Sequence, residues 1–454
     1  MRILLIHQAF CGPNDPGGTR HYEIVSRLAA QGHEVTIVTS RYSYLTGAAK
    51  DDCSYLAGIR LRFTRTLGDL HKSYVQRLLA FLSFAVSSFF VALRSGPHDI
   101  ILGTSPPIFQ CFPALCVALL RKKPFVLEVR DLWPDFAIAL GLLRNSLLIG
   151  AAKTSEKLLY RFACAVVVNS PRYTRYLEQH GVPKWKIILI ANGVDPCAFN
   201  PKDKGEEFRA EYGLSNSFVV MYAGALGLAN GVESLIEAAF LLRHEPDLKV
   251  VIVGDGKHKS KLQAMARSIG LSNVLFVPAQ PKTRIPRILA AADVCVALLA
   301  NVPSLQITYP NKVFDYMAAG RPTVLAIQGP IREIIERSGG GVSVNPGDSS
   351  ALAEAFLRLR RSPLLRAEMG VKARSYVEQY FNRADQAKQF ADLLERIAAP
   401  QVLTRRSATI SISSPQGEST PVFVAARSSV PSPCSRAGFT SHQARVPLTR
   451  DGEP

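Results

Sequence analysis

The opening forty residues restrict the fold more than any other stretch of the chain. RILLI (residues 2–6) is a short apolar run of strand length. A loop rich in Gly, Pro, Asn and Asp follows (11–18), then a helical pattern from about Thr19 to Gln31-Gly32-His33, then a second strand, EVTIVT (34–39). Two strands joined through a helix lie parallel, because a crossover and not a hairpin connects them. Apolar runs of strand length recur at 100–102, 125–129, 165–168 and 187–190 and extend the same parallel sheet. After a polar, charge-rich stretch at 201–216 the layout repeats: FVVMY (218–222) runs into AGALG (223–227) and a helix. KVVIVG (249–254), VLFV (274–277), VCVA (294–297) and PTVL (322–325) then alternate with helical patterns. Two doubly wound α/β domains are expected, with ligand in the cleft at the carboxyl ends of their strands.

The 454 residues, 47% of them hydrophobic, suffice for two cores. A formal charge of +18 favours anionic partners, among them nucleotides, lipid pyrophosphates and phospholipid headgroups. Nucleic acid is not expected, since Lys and Arg are spread along the chain and no recognition motif is present. The eight cysteines form no CxxC pair, and no secretory signal is apparent, so reduced thiols in a cytoplasmic protein are expected. The nine histidines form no HExxH pattern and no Asp-x-Asp pair occurs, so no metal site is expected. LLAFLSFAVSSFFVAL (78–93) is apolar but shorter than the roughly 20 residues that span a bilayer. It suits a helix buried against a sheet, or an interfacial membrane contact flanked by Lys72, Arg77 and Arg94.

The segment YPNKVFDYMAAGRP (309–322) carries the densest chemistry. Pro310 suits the first turn of a helix, Gly320 suits its end, and Lys312 and Asp315 fall on one face. Free N–H groups at the helix start and the Lys312 ammonium suit a diphosphate, and Asp315 can accept hydrogen bonds from ribose hydroxyls. A merely capped amphipathic helix has the same pattern. Gly17-Gly18-Thr19-Arg20 follows the first strand, where backbone N–H groups can approach a diphosphate; a plain tight turn reads alike. No GxGxxG or GxxxxGK[ST] occurs, which disfavours hydride transfer and nucleoside triphosphate hydrolysis. TSPP (104–107) and RDLWPD (130–135) follow strands at the same edge. Asp131 suits an acceptor hydroxyl, or a hydrogen bond to its own turn.

Over residues 1–395 this order resembles the retaining glycosyltransferases of family 4, which have the GT-B fold. The resemblance is carried by GGTRHYEIVSRLAAQGHEVTIVT (17–39), ANGVD (191–195), VVIVGDG (250–256), LAAADVCVALL (289–299) and YPNKVFDYMAAGRPTV (309–324). TSPP, VRDLWPD and AGALGLANGVESLIEAA are similar to the branch that builds O-antigen, capsule or colanic-acid-type exopolysaccharide. The resemblance implies two Rossmann-like domains facing a central cleft: residues 1–198 for the acceptor and 199–374 for the nucleotide sugar. A helix at 375–399 would return to the first domain, and a disordered tail would occupy 400–454. It also implies transfer from a nucleoside diphosphate sugar, most simply a UDP-linked N-acetylated sugar, to a polyprenyl-linked or saccharide acceptor at the inner face of the cytoplasmic membrane. The donor serves as substrate and no cofactor is expected. Lys312, Asp131 and Arg130 are the implied catalytic residues, and Gly17, Gly18, Thr19, Arg20, Gly224, Asn230, Gly254, Asn311 and Asp315 the implied donor-binding set.

The family pattern is broken in three places. Its paired glutamates, eight positions apart, fall on Ile307 and Asp315. Its Arg and Lys after the second domain's first strand fall near Ala225 and Asn230, and the histidine of its acceptor loop falls on Arg130. A GT-B sugar-nucleotide epimerase and an inactive nucleotide-binding partner subunit are the alternatives.

Overall fold

The computed structural model describes residues 1–43, 46–47, 49–50, 58–67 and 74–399. The expected tail at 400–454 and Lys72 lie outside the described residues. Every strand pairing within the two sheets is parallel. The first sheet holds β1 (Arg2–Ile6), β2 (Glu34–Ser40), β3 (Ile59–Thr64), β4 (Ile100–Ser105), β5 (Phe125–Val129), β6 (Ala165–Val168) and β7 (Ile187–Leu189), in the order β3-β2-β1-β4-β5-β6-β7. The second holds β8 (Phe218–Ala223), β9 (Leu248–Val253), β10 (Val274–Val277), β11 (Val294–Leu298), β12 (Thr323–Ala326) and β13 (Gly341–Ser343), in the order β10-β9-β8-β11-β12-β13. Strand order reverses between β1 and β4 and between β8 and β11, and the loops leaving those strands define the cleft.

β3 and β13 are absent from the sequence expectation, each for a local reason. β3 is an edge strand, IRLRFT, whose two arginines break the apolar run, and β13 has only three half-buried residues. The other strands are nearly continuous Val, Ile and Leu because helices cover both faces of each sheet.

Five helices of the first domain matter for the cleft: α1 (Arg20–Ala30), α2 (Tyr74–Arg94), α3 (Cys111–Leu120), α4 (Asp135–Ala139) and α5 (Ser146–Phe162). On α2, Ala80, Phe84, Ser88 and Ala92 recur every four residues and are buried, while Val75, Leu78, Leu79, Leu82, Val86 and Phe90 are exposed. One face is therefore core, as the buried-helix alternative expects, and the other is an exposed apolar row.

The final helix, Arg383–Ala398, crosses back onto α1. Ala387, Phe390, Ala391, Leu393 and Leu394 share one buried cluster with Ile3, Leu5, Ile24, Val25 and Leu28. Its first residue, Arg383, is fully buried and pairs with Glu23 of α1 at 2.7 Å.

Candidate active site

The loops at the two switch points wall a cavity of about 1050 Å³. Gly18, Arg20, Arg130, Asp131 and Asn192 face it from the first domain, and Asn230, Tyr309, Asn311 and Lys312 from the second. Two hydrogen bonds span the seam beside it: Asn192 Nδ2 donates to the Tyr309 carbonyl and Ser170 Oγ to the Ile307 carbonyl, both at 2.6 Å.

The Lys312 helix runs Asn311–Ala318, with Pro310 at φ −66° before it and Gly320 at φ +65° after it. That positive φ is the left-handed conformation glycine adopts freely, and it stops the helix where the sequence indicates. The first-turn N–H groups of such a helix have no intrahelical acceptors and favour an anion. Lys312 Nζ donates to the Tyr222 hydroxyl at 2.9 Å and to Asn230 Oδ1 at 3.0 Å, and it lies 4.4 Å from the Tyr222 ring centroid. Among the described residues no carboxylate pairs with it. Burial pushes its ammonium down to about 7. The Asn169 and Asn311 side-chain oxygens, also at this cavity, are buried without a protein partner. Such groups require a ligand or water.

The glycines act through close approach. Gly254, at φ +157°, lies against the Gly224 carbonyl, where a Cβ would collide. A side chain at Gly224 would crowd Lys312 and the Tyr222 hydroxyl. Neither glycine lines the cavity; they let the loops after β8 and β9 close beneath Lys312. Gly17, at φ +139°, packs its Cα face against the Cys11 sulfur, while Gly18 is open and lies on the cavity wall.

Several expected site residues have other partners. Thr19 Oγ1 donates to Glu23 at 2.5 Å, inside the first turn of α1. The Arg20 guanidinium is buried and held by Glu128 and by the Ile190 and Ala191 carbonyls, so it braces the cleft edge. Asp315 does not reach the cavity wall; its carboxylate pairs with Lys282 at 2.6 Å. Burial raises the Asp315 carboxyl, and Lys282 opposes that rise. Ile307, where the family pattern places a carboxylate, packs into the apolar cluster of the first domain.

Behind Arg130 and Asp131 lies a buried network centred on Glu128. Its carboxylate is met by Arg20 Nε at 3.0 Å, His21 Nε2 at 2.5 Å and Thr104 Oγ1 at 3.1 Å. Thr104 in turn receives Arg130 Nε at 3.0 Å, and Arg130 Nη2 reaches His7 Nε2 at 3.2 Å. Burial alone would raise the Glu128 carboxyl, but His21, Arg20 and Arg130 together hold it well below the carboxylate range. Burial lowers both His7 and His21. Asp131, lacking a side-chain hydrogen bond among the described residues, is raised by burial. The network therefore fixes Arg130 and leaves Asp131 facing the cavity.

The sequence reading missed Glu128, His7, His21, Tyr222 and Lys282. One signal was available: a glutamate inside the otherwise apolar strand FVLEV is a buried charge in need of partners. Lys282 had none, since its partner lies 33 residues away. Among the described residues no three or more His, Cys, Asp or Glu side chains form a metal-holding group.

Comparison with known proteins agrees with this architecture. Residues 17–193 match the glycosyl transferase 4-like domain and residues 217–362 match the glycosyl transferases group 1 family. The chain is 28% identical over 387 residues to the putative colanic acid biosynthesis glycosyl transferase WcaI of Escherichia coli, covering 81% of this chain and 93% of that protein. It is 28% identical over 226 residues to the amylovoran biosynthesis glycosyltransferase AmsK of Erwinia amylovora, covering 48% of this chain and 53% of that one. The structure of Anabaena HepE with UDP-glucose superposes with a TM-score of 0.67 at 20% identity, over 87% of this chain and all of that one. The chain is a glycosyltransferase of the GT-B fold, in which a glycosyl transferase 4-like domain is followed by a group 1 domain.

Proposed function

We propose that this enzyme moves a sugar from a nucleoside diphosphate sugar, by preference a UDP-linked N-acetylated one, to a polyprenyl-linked acceptor in surface polysaccharide assembly, with retention of anomeric configuration. The observation that carries the donor half is Lys312: a largely buried ammonium at a helix start, on the cleft wall and without a carboxylate partner among the described residues. The names of WcaI and AmsK support the polysaccharide setting, and the UDP-glucose complex of HepE supports the donor class.

In this reading the bond between the anomeric carbon and the β-phosphate oxygen breaks, and the acceptor oxygen bonds to the same face of that carbon. The acceptor proton passes to the departing phosphate oxygen. Lys312 and the helix N-terminus stabilise the charge that gathers on the diphosphate. Asp131 orients the acceptor hydroxyl, and the buried Glu128 network holds Arg130 beside it. These groups supply positioning and electrostatics without a protein nucleophile or a metal. The test is product analysis by NMR after incubation with UDP-sugars and a lipid diphosphate acceptor, with and without EDTA. Retained configuration and EDTA-insensitive turnover are expected; an inverted anomer or EDTA-abolished turnover overturns the mechanism. The basic surface and the exposed row on α2 support work at the cytoplasmic face of the membrane.

A further inference from the structure

The cavity continues past Asp131, away from Lys312, as a groove between α2, α3, α4 and α5. Leu78, Phe81, Phe109, Trp133, Leu140 and Leu148 form its walls, and among the described residues along this stretch only Arg77 and Ser155 are polar. Phe81 stacks on Phe109 with centroids 6.0 Å apart, Phe109 meets Trp133 edge-on at 5.8 Å, and the Arg77 guanidinium lies 5.6 Å from the Phe81 centroid. The whole cavity, about 1050 Å³, reaches the upper end of the roughly 300–1,000 Å³ usual for one small-molecule site. A nucleotide sugar held at Lys312 would leave this apolar arm unfilled.

We propose that the groove binds the first isoprene units of the acceptor's polyprenyl chain, with the diphosphate-linked sugar presented at Asp131. The proposal rests on the donor and acceptor reading above and assigns the lipid its place. Two observations select the occupant. The groove is continuous with the reaction cavity, so whatever fills it is tied to the group at Asp131. Its lining includes side chains that are themselves exposed and apolar, namely Leu78, Leu82 and Leu148, and Arg144 and Lys153 lie close to Leu148 in sequence, Lys153 pairing with Asp135 at 3.6 Å. Burying that apolar lining against a hydrocarbon chain is favourable in proportion to the area removed from water, and the neighbouring basic residues suit an anionic headgroup or diphosphate.

The chain carries two tryptophans, and they separate cleanly. Trp133 lines the groove and Trp185 is 76% exposed on the far loop before β7. Trp185→Phe in the full-length chain leaves Trp133 as the sole reporter. Titration with geranylgeranyl diphosphate is expected to shift and saturate Trp133 emission, while inorganic diphosphate leaves it unmoved. Leu148→Glu, at a position already exposed and so compatible with folding, is expected to weaken that response about ten-fold or more, the worth of one buried leucine side chain. Thermal stabilisation by UDP, measured on the same samples, checks the donor site separately. No Trp133 response with UDP stabilisation intact overturns the groove and spares the donor reading. Loss of UDP stabilisation in the unsubstituted chain overturns the donor reading itself. An equal response to dioleoyl phosphatidic acid, or an unchanged response in Leu148→Glu, also overturns the proposal.

Discussion

Lys282 and Asp315 meet at 2.6 Å beside the seam between the domains, and the same Lys282 residue donates its backbone N–H to the Asp15 carbonyl of the opposite domain at 3.4 Å. The carboxylate expected at the ribose is thus paired with a lysine remote in sequence, which opposes the rise that burial causes. Asp315 does not line the cavity, so it meets a ribose only by exchanging Lys282 for the ligand; on that footing Asp315→Ala weakens UDP binding by roughly 10- to 100-fold, the worth of one or more charge-assisted hydrogen bonds. Lys282→Met removes the cation that opposes the burial-driven rise of the Asp315 carboxyl and should weaken binding in the same direction, and the double substitution should cost less than the sum. Calorimetric titration checks this; strict additivity, or wild-type affinity in Asp315→Ala, removes Asp315 from the donor site.

Lys312 makes nucleotide affinity depend on pH. Its ammonium is pushed down to about 7 by burial, and a bound diphosphate favours the charged form, so binding draws a proton onto it. UDP affinity should therefore fall as pH rises above about 7, by up to about ten-fold per unit at the steepest, relative to a Lys312→Arg variant that stays charged. Taking the ratio of the two proteins cancels the ligand's own ionisation. Without ligand the sign is opposite. The unfolded chain keeps this proton up to about 10.5 while the folded chain releases it, so this group's contribution to stability rises with pH across that window. Parallel affinity profiles for the two proteins would place the phosphates elsewhere.

The Glu23–Arg383 pair fastens the last helix to α1. Burial alone would raise Glu23, but Arg383, Lys282 and the Thr19 hydroxyl hold it at about 2. A depressed carboxylate contributes stability that is present above its unfolded value of 4.5 and is lost as pH falls toward 2. Arg383→Ala should cost about 3 kcal/mol by removing the ion-pair partner of Glu23 and leaving it only the Thr19 hydroxyl and the more distant Lys282. Urea denaturation at neutral pH should show that loss, and the gap between variant and wild type should narrow in acid.

Asp131 is the test of acceptor positioning. Asp131→Asn should lower turnover and raise the acceptor KM while leaving UDP affinity as it was, because Lys312 and the helix start face the cavity from the other domain. A matching loss of UDP affinity would assign Asp131 to the donor instead.

The two-sheet architecture was legible because most strands, β3 and β13 apart, are short apolar runs, a pattern fixed by burial on both faces. Lys312 was legible for a related reason: Pro310 and Gly320 mark the helix ends, so the position of the lysine within the first turn follows by counting. The partners of Arg20, Asp315 and Arg130 were not legible. Glu128 lies 108 residues from Arg20, and Lys282 lies 33 residues from Asp315, and only the folded sheets bring them together. The apolar groove was hidden for the same reason, since its walls come from α2, α3, α4 and α5, each of which reads alone as an ordinary amphipathic or core helix.

The return of the final helix to α1 also constrains how the protein is made. The cluster that seats Ile3, Leu5 and Leu28 is completed by Phe390 and Leu394, so the domain that leaves the ribosome first is the last to close. Until residue 394 has been synthesised, α1 presents an unfilled apolar stripe, and the second domain has all its strands before the first has its full core. A nascent chain exposed only as far as about residue 381 should therefore hold the second domain's core complete beside an unfinished first domain, the natural point for a chaperone to engage.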